Sequence, residues 1–317
     1  MKVLALTNMY PTPDAPYYGI FVRNTLDAIR RADPSIAIDL LFVNGRRNKA
    51  AYLAAPLRVI ARAAAGYDLI HAHYGFLAGA GVCFPGPRAI TFYGSDVNDP
   101  REFRWSRPFL GQYAGIVVMN EAMRATVGRA DAAIIPPGID LSLFAPRDRA
   151  EARRKLGLDP SARYILFPSK PERREKRYDL FSEVFARVAS RRPGVKSLLL
   201  GSPERPDTEV PWLYAACDLL LLTSDNEGSP MAIKEALAMN LPIVSVDVGD
   251  VRAVAGAWAG ARVVASREPA DLAAAAEALL DAAPPHDGPE RAVGLSIDAT
   301  ARSTIDLYRR VARARRR

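Results

Sequence analysis

Residues 223–239, Thr-Ser-Asp-Asn-Glu-Gly-Ser-Pro-Met-Ala-Ile-Lys-Glu-Ala-Leu-Ala-Met, set two carboxylates around a turn that opens a helix. The apolar run ahead of it, Asp218 to Leu222, reads as a buried strand. That strand stops at Thr223-Ser224. An alanine-rich helix is expected to open at Ser229-Pro230, because serine is a good N-cap and proline suits the first helical position. A helix start carries a partial positive charge, and phosphate is the anion it suits best. Glu227 lies in the turn. Glu235 lies in the second helical turn, on the face it shares with Met231 and Ala238. Carboxylates accept hydrogen bonds from hydroxyls. The expected ligand is therefore a pyrophosphate with a sugar at each end.

A diphosphate that leaves gains charge in the transition state and needs cations. The segment Ser169-Lys170-Pro171-Glu172-Arg173-Arg174-Glu175-Lys176-Arg177 follows a second predicted strand and could supply them; its plain reading is a charged surface loop. Near the N-terminus, Gly19 in Tyr17-Tyr18-Gly19-Ile20 lets backbone approach a ligand closely, or marks a simple turn. His71 and His73 lie two apart, on one side of a strand end. No further ligand cluster supports a metal pair there, and they read as polar residues of structural kind. Asp247 and Asp250 read as turn formers rather than metal ligands.

The elements that must position these groups alternate. Predicted strands cover 2–8, 36–43, 68–73, 88–93, 115–119 and 132–135, then 163–168, 195–200, 218–222, 242–247 and 261–265. Helices fit at 20–32, 50–65 and 121–128, then 177–191, 210–217, 230–239, 269–282 and 297–315. Such alternation argues α/β architecture with parallel sheets. Pro136-Pro137-Gly138-Ile139-Asp140-Leu141-Ser142-Leu143-Phe144-Ala145-Pro146 interrupts it and reads as a linker. The expected domains are 1–145 and 146–296, with the last helix, 297–317, free to pack back on the first. Two doubly wound sheets would bind ligands outside the carboxyl ends of their strands, in a cleft that residues 223–239 would wall.

With 317 residues, 49% hydrophobic and 25% charged, the chain has the composition of a water-soluble globular protein. Its two cysteines, Cys83 and Cys217, argue against a disulfide framework and for a reducing compartment. The N-terminus reads as a first strand rather than a signal peptide, so a cytoplasmic location is expected. The net charge is +8. Basic residues gather in Arg46-Arg47-Asn48-Lys49, on the apolar helix carrying Arg58 and Arg62, and in the C-terminal Arg309-Arg310-Val311-Ala312-Arg313-Ala314-Arg315-Arg316-Arg317. Such stretches favour anionic membrane surfaces, and peripheral attachment is weighed beside a plainly solvated tail and helix face. Nucleic acid is not expected, since the basic stretches lack interleaved stacking aromatics.

These residues resemble the retaining glycosyltransferases of family 4, which have the GT-B fold of two Rossmann-like domains facing across a cleft. The resemblance covers nearly the whole chain. It rests most on Glu227-x7-Glu235, within Glu-Gly-Ser-Pro-Met-Ala-Ile-Lys-Glu-Ala. Pro136-Pro137-Gly138-Ile139-Asp140, Asp68-Leu69-Ile70-His71-Ala72-His73, Phe92-Tyr93-Gly94-Ser95-Asp96 and Leu241-Pro242-Ile243-Val244 support it. The resemblance implies that Glu227 contacts the transferred sugar and Glu235 the ribose, while amides around Gly228, Ser229, Pro230 and Met231 hold the diphosphate. Lys176 matches the family's lysine on the leaving group. The family arginine has no clean counterpart, since Ser169 or Lys170 stands at its position, with Arg173 as a substitute from the loop. Gly19 would approach phosphate. Tyr93 stands where many relatives place a histidine that touches the donor sugar, so that contact is altered here. Asp96 fits the motif and is expected to face the cleft.

The expected function is a metal-independent, retaining transfer of sugar from a nucleotide-diphosphate sugar to an acceptor hydroxyl, by front-face substitution and without a cofactor. The acceptor is a glycan, a lipid-linked molecule or a small molecule. The alternatives are a GT-B sugar-nucleotide epimerase, a non-catalytic nucleotide-sugar-binding subunit, and a membrane-surface protein.

Overall fold

The computed structural model describes residues 1–201, 208–283 and 286–313. The chain divides into two compact units, residues 1–138 with 297–317, and residues 139–296.

The first unit holds six parallel strands: β1 (Lys2–Thr7), β2 (Ala37–Phe42), β3 (Leu69–His73), β4 (Arg88–Thr91), β5 (Gly115–Val118) and β6 (Ala133–Ile134). Their order is β2-β1-β3-β4-β5-β6. The direction of winding reverses between β1 and β3, and this is where open parallel sheets bind ligands. β1, β3 and β5 are buried almost throughout, as expected of strands covered on both faces. β4 ends at Thr91, two residues earlier than expected. There Phe92 and Tyr93 turn toward Gly94, whose φ of 153° lets the chain enter the short helix Ser95–Asn98.

The second unit holds β7 (Arg163–Phe167), β8 (Val195–Leu199), β9 (Leu219–Leu222), β10 (Ile243–Val246) and β11 (Ala261–Val264). They are also parallel, in the order β11-β10-β9-β7-β8, and the winding reverses between β7 and β9. The all-leucine strand β9 is buried over its whole length. Burying each such side chain contributes about 1.5–3 kcal/mol.

The division between units falls at Gly138, not near residue 145. The reason is packing: Ile139 and Phe144 are buried in the core of the second unit, and the Ile139 N–H donates to Leu295 O at 3.0 Å. Pro136 belongs to the first unit, where its carbonyl accepts from Thr300 Oγ1 at 2.9 Å. The helix Ile297–Arg313 lies in that unit too. Its Tyr308 is fully buried beside β3, and its Val311 comes so close to β5 that a Cβ at position 115 would lie 2.5 Å from a Val311 methyl. The basic residues Arg315, Arg316 and Arg317 lie outside the described residues.

Candidate active site

The two loops that flank the winding reversal of the second unit carry the predicted site. One follows β7 and contains Lys170, Arg173 and Lys176. The other follows β9 and contains Glu227, Gly228, Ser229 and Pro230. Backbone and hydroxyl bonds stitch them together. Thr223 Oγ1 donates to Lys176 O at 2.9 Å or to Arg177 O at 3.0 Å, and the Asp225 N–H donates to Glu175 O at 2.9 Å. Arg177 takes a left-handed backbone, φ 54°, and its guanidinium reaches Asp225 Oδ1 at 3.0 Å. Strain of this kind, roughly 1 kcal/mol or more, persists only where surrounding contacts hold it. Its result is that Lys176 points at the turn: Lys176 Nζ donates to Glu227 Oε1 at 2.5 Å. Both side chains are mostly buried.

The helix beyond that turn is Met231–Ala238, with Pro230 as its N-cap. Ser229 does not cap it, contrary to expectation. The Ser229 hydroxyl donates instead to Asp250 Oδ2 at 2.5 Å. That leaves the start of the helix to Pro230, whose ring presets φ near −67°. Gly249, at φ +59°, lets the β10 loop pass under the turn, because a Cβ there would sit 2.9 Å from Gly228 O.

Glu235 accepts from the buried Tyr214 hydroxyl at 2.6 Å. Burial and the nearby carboxylate push the Tyr214 phenol well above its ordinary range, so it remains a donor. Lys234, next to Glu235 in the same helix, is fully buried, and its ammonium is lowered to about 8 by that burial, with Asp250 and Glu235 opposing. Burial also raises the Asp250 carboxyl, whose Oδ1 is one of the few buried polar side-chain atoms without a partner among the described residues. Asp250 is therefore more than a turn former. Tyr214 and Asp250 were invisible to spacing arguments, since each reaches the site from another element.

The other expected cations make further contacts of their own. Arg173 binds Glu175, 2.8 Å from Nε, on the exposed side of its loop. The aliphatic stem of Lys170 runs over Gly201, 3.1 Å from where a Cβ there would lie. Trp212 packs between Arg147 and Lys155 at 4.5 and 4.4 Å from its ring.

In the first unit, Gly19 starts the helix Ile20–Ala32 at φ +72°, and a Cβ would lie only 2.3 Å from Met9 C. The position admits glycine alone. Tyr93 OH is 2.7 Å from His73 Nδ1, and the Tyr93 ring packs on Phe21. His71 is bonded to Tyr308 OH at 2.8 Å and Thr91 Oγ1 at 2.7 Å. Burial holds both imidazoles below their ordinary value, His73 at about 3. Asp96 does not face outward as expected. It is buried, and its carboxylate accepts from the N–H groups of Gly75, Tyr93 and Gly94, each at 2.9 Å. Burial outweighs these bonds and raises it to about 6. Asp96 therefore holds the loop that carries Tyr93.

Two family profiles match different parts of the chain. The profile of a family described as Glycosyltransferase Family 4 matches residues 10–143, and that of Glycosyl transferases group 1 matches residues 204–282. D-inositol 3-phosphate glycosyltransferase of Segniliparus rotundus is 30% identical over 143 residues, 37% of this chain and 32% of that protein. The matched stretches span from 32% to 61% of the length of such curated relatives. In fold, sucrose-phosphate synthase of Thermosynechococcus elongatus superposes with a TM-score of 0.79 at 18% identity, over 99% of this chain and all of that one. HepE of Anabaena, solved with UDP and glucose, gives 0.66 at 16% identity, over 99% of each chain.

Proposed function

Since the chain belongs to glycosyltransferase family 4 and has the GT-B fold, we propose that it is a retaining enzyme that moves a sugar from a nucleotide-diphosphate donor to an acceptor hydroxyl. The observation that carries this is the Lys176–Glu227 pair at the start of the Met231–Ala238 helix. An ammonium, a helix N-terminus and a carboxylate meet there, which is the set a sugar diphosphate needs.

In this reading the diphosphate lies on the helix start, near Gly228, Ser229 and Met231, while Pro230 fixes the turn. Lys176 exchanges its bond to Glu227 for one to the leaving phosphate and offsets the charge that grows there. Glu227, released, accepts from hydroxyls of the transferred sugar. Glu235, oriented by Tyr214, accepts from the ribose hydroxyls. Lys170 and Arg173 lie on the loop that would meet the outer phosphate oxygens. In the other unit, Gly19 would approach phosphate, and Tyr93, braced by His73, would meet the sugar. Because side chains and amides supply the positive charge, the reading needs no metal and no cofactor. Retention follows from a front-face route, in which the departing phosphate oxygen takes the acceptor proton and no protein carboxylate forms a bond to carbon.

UDP is the first nucleotide to try, given the ligands named for HepE. The acceptor is a hydroxyl of a glycan, a lipid-linked molecule or a small molecule. A cytoplasmic location with peripheral attachment to anionic membrane completes the reading. Two unpaired cysteines suit such a compartment. Among the described residues no helix is long and apolar enough to cross a membrane.

A thermal-shift panel of nucleoside diphosphates and their sugars tests the donor half. One diphosphate series should raise the midpoint by mass action. A flat response across all bases would remove the proposal's foundation. An isomerised sugar formed from donor alone would turn the assignment toward an epimerase.

A further inference from the structure

The helix Ala51–Ala63 is mounted the unusual way round. It buries its small residues, Ala55 and Val59, against the first unit. Its large ones face out: Leu53 is 83% exposed, Leu57 71% and Ile60 54%. These three share one face, at i, i+4 and i+7. Ordinary surface helices do the reverse. The patch continues beyond the helix. Tyr52 packs edge-on to Phe76 at 4.8 Å, and Phe76 to Trp105 at 6.5 Å. Phe76 and Trp105 are themselves about half exposed. Of the large hydrophobics exposed among the described residues, only Val293 lies elsewhere. Scattered exposed leucines need no explanation, but a contiguous patch does.

Charge decides what covers it. Residues 40–67 contain Arg46, Arg47, Lys49, Arg58 and Arg62, and no acid. Arg46 stacks on Tyr18, and Arg104 stacks on Trp105 at 4.9 Å. An apolar face rimmed by arginines complements a bilayer with anionic headgroups. A second copy of the same surface would bring like charges together.

We infer that Leu53, Leu57, Ile60, Phe76 and Trp105 form a membrane-inserting face, with the surrounding arginines and lysine on anionic headgroups. This deepens the membrane part of the reading above and does not depend on the sugar-transfer part. The face also has a direction. Tyr52 OH accepts from Asn8 Nδ2, just past β1, while Phe76 follows β3 and Trp105 lies in the helix Pro100–Ser106 after β4. The insertion surface thus borders the carboxyl ends of the strands that flank the winding reversal.

The full chain is sedimented with vesicles of phosphatidylcholine alone and of phosphatidylcholine with phosphatidylglycerol. Binding to the mixed vesicles only, weakened by salt, is expected, with a blue shift of tryptophan emission that Trp105→Phe removes. Leu53→Ser, Leu57→Ser and Ile60→Ser together should lower vesicle affinity about tenfold or more while leaving the thermal midpoint unchanged, since the three side chains are exposed. Arg47→Gln with Lys49→Gln should lower it by a smaller factor. Wild-type protein that ignores mixed vesicles, or a triple serine variant that binds them as wild type does, overturns the inference. So does a wild-type dimer that the triple variant abolishes without any vesicle binding, which would give the face to a second copy. Donor binding read by thermal shift is independent of all these outcomes, so a failed nucleotide panel and a failed vesicle assay remain distinguishable.

Discussion

Lys176 Nζ stands 2.5 Å from Glu227 Oε1 across 51 residues of chain, and the side chains are only 14% and 11% exposed. Partial burial makes this pair unlike a surface ion pair, whose worth is small. Its geometry is supplied by Thr223, which ties the backbone of Lys176 and Arg177 to the end of β9.

The first prediction separates the two members of the pair. Lys176→Ala should lower kcat about 100- to 1000-fold while changing donor affinity little, because the growing charge of the leaving diphosphate is what the ammonium serves. Glu227→Gln should lower kcat/KM by a similar factor, chiefly through the sugar. It should leave binding of the sugar-free nucleoside diphosphate intact. Steady-state kinetics with a confirmed donor, beside calorimetric titration of the diphosphate, measures both. Full turnover in either variant removes that residue from the site.

A second prediction concerns Glu235 and Tyr214. Glu235→Ala should weaken nucleoside diphosphate binding about tenfold or more, the worth of a charge-assisted hydrogen bond. Tyr214→Phe should weaken it less, since it removes only the group that orients the carboxylate. A 2′-deoxy nucleotide provides the control. Wild type should bind it more weakly than the ribonucleotide, and Glu235→Ala should bind the two alike. A deoxy penalty that survives in Glu235→Ala would mean the ribose is held elsewhere.

How much of this could be read from residues alone differs between the sheet and the site. β-branched and leucine-rich runs located the eleven strands found among the described residues, because buried parallel strands are apolar along their whole length. Helix Met231–Ala238 was found within a residue of its ends. Short helices such as Arg149–Lys155 and Val251–Ala255 were missed, since one or two turns carry too little periodicity. In the site, Glu227, Glu235 and Lys176 stood out by spacing and resemblance. What escaped were long-range partners. Nothing local tells that Ser229 binds Asp250 rather than capping its own helix, or that Asp96 turns inward to three amides. The boundary was placed seven residues late because proline marks where regular structure stops, not which core the next side chain enters.

Gly19 supplies a backbone prediction with an internal control. Gly19→Ala should destabilise the first unit by about 2 kcal/mol or more, because it adds a clash with Met9 to a left-handed backbone. Gly66 has nearly the same φ, +73°, but open space around it. Gly66→Ala should therefore cost only about 1 kcal/mol, the conformational part alone. Urea unfolding of both variants isolates the contact contribution. Equal losses would show that Gly19 is retained for its φ and not for the close approach of residue 9.

The buried imidazoles set the acid limit of the first unit. His71 and His73 are both held below their ordinary value of 6.5, His73 at about 3. Below pH 6.5 the unfolded chain therefore binds protons that the folded chain refuses, and stability falls as pH drops toward 3. Each histidine contributes a slope of about 1.4 kcal/mol per pH unit. Asp96 acts in the opposite sense. Its folded value of about 6 lies above 3.8, so the folded state takes the proton first, and stability rises as pH falls through that interval. Two groups oppose one, so between pH 6 and 4 the net slope should be about one proton's worth of loss. Urea unfolding at several pH values measures it for wild type and for His73→Asn. The variant should have a flatter profile whatever its absolute stability, because one of the two refusing groups is gone. Parallel profiles for the two proteins would show that His73 gains its proton in the folded state as readily as in the unfolded one, and the close-packed Tyr93–His73 bond would lose its role as a brace.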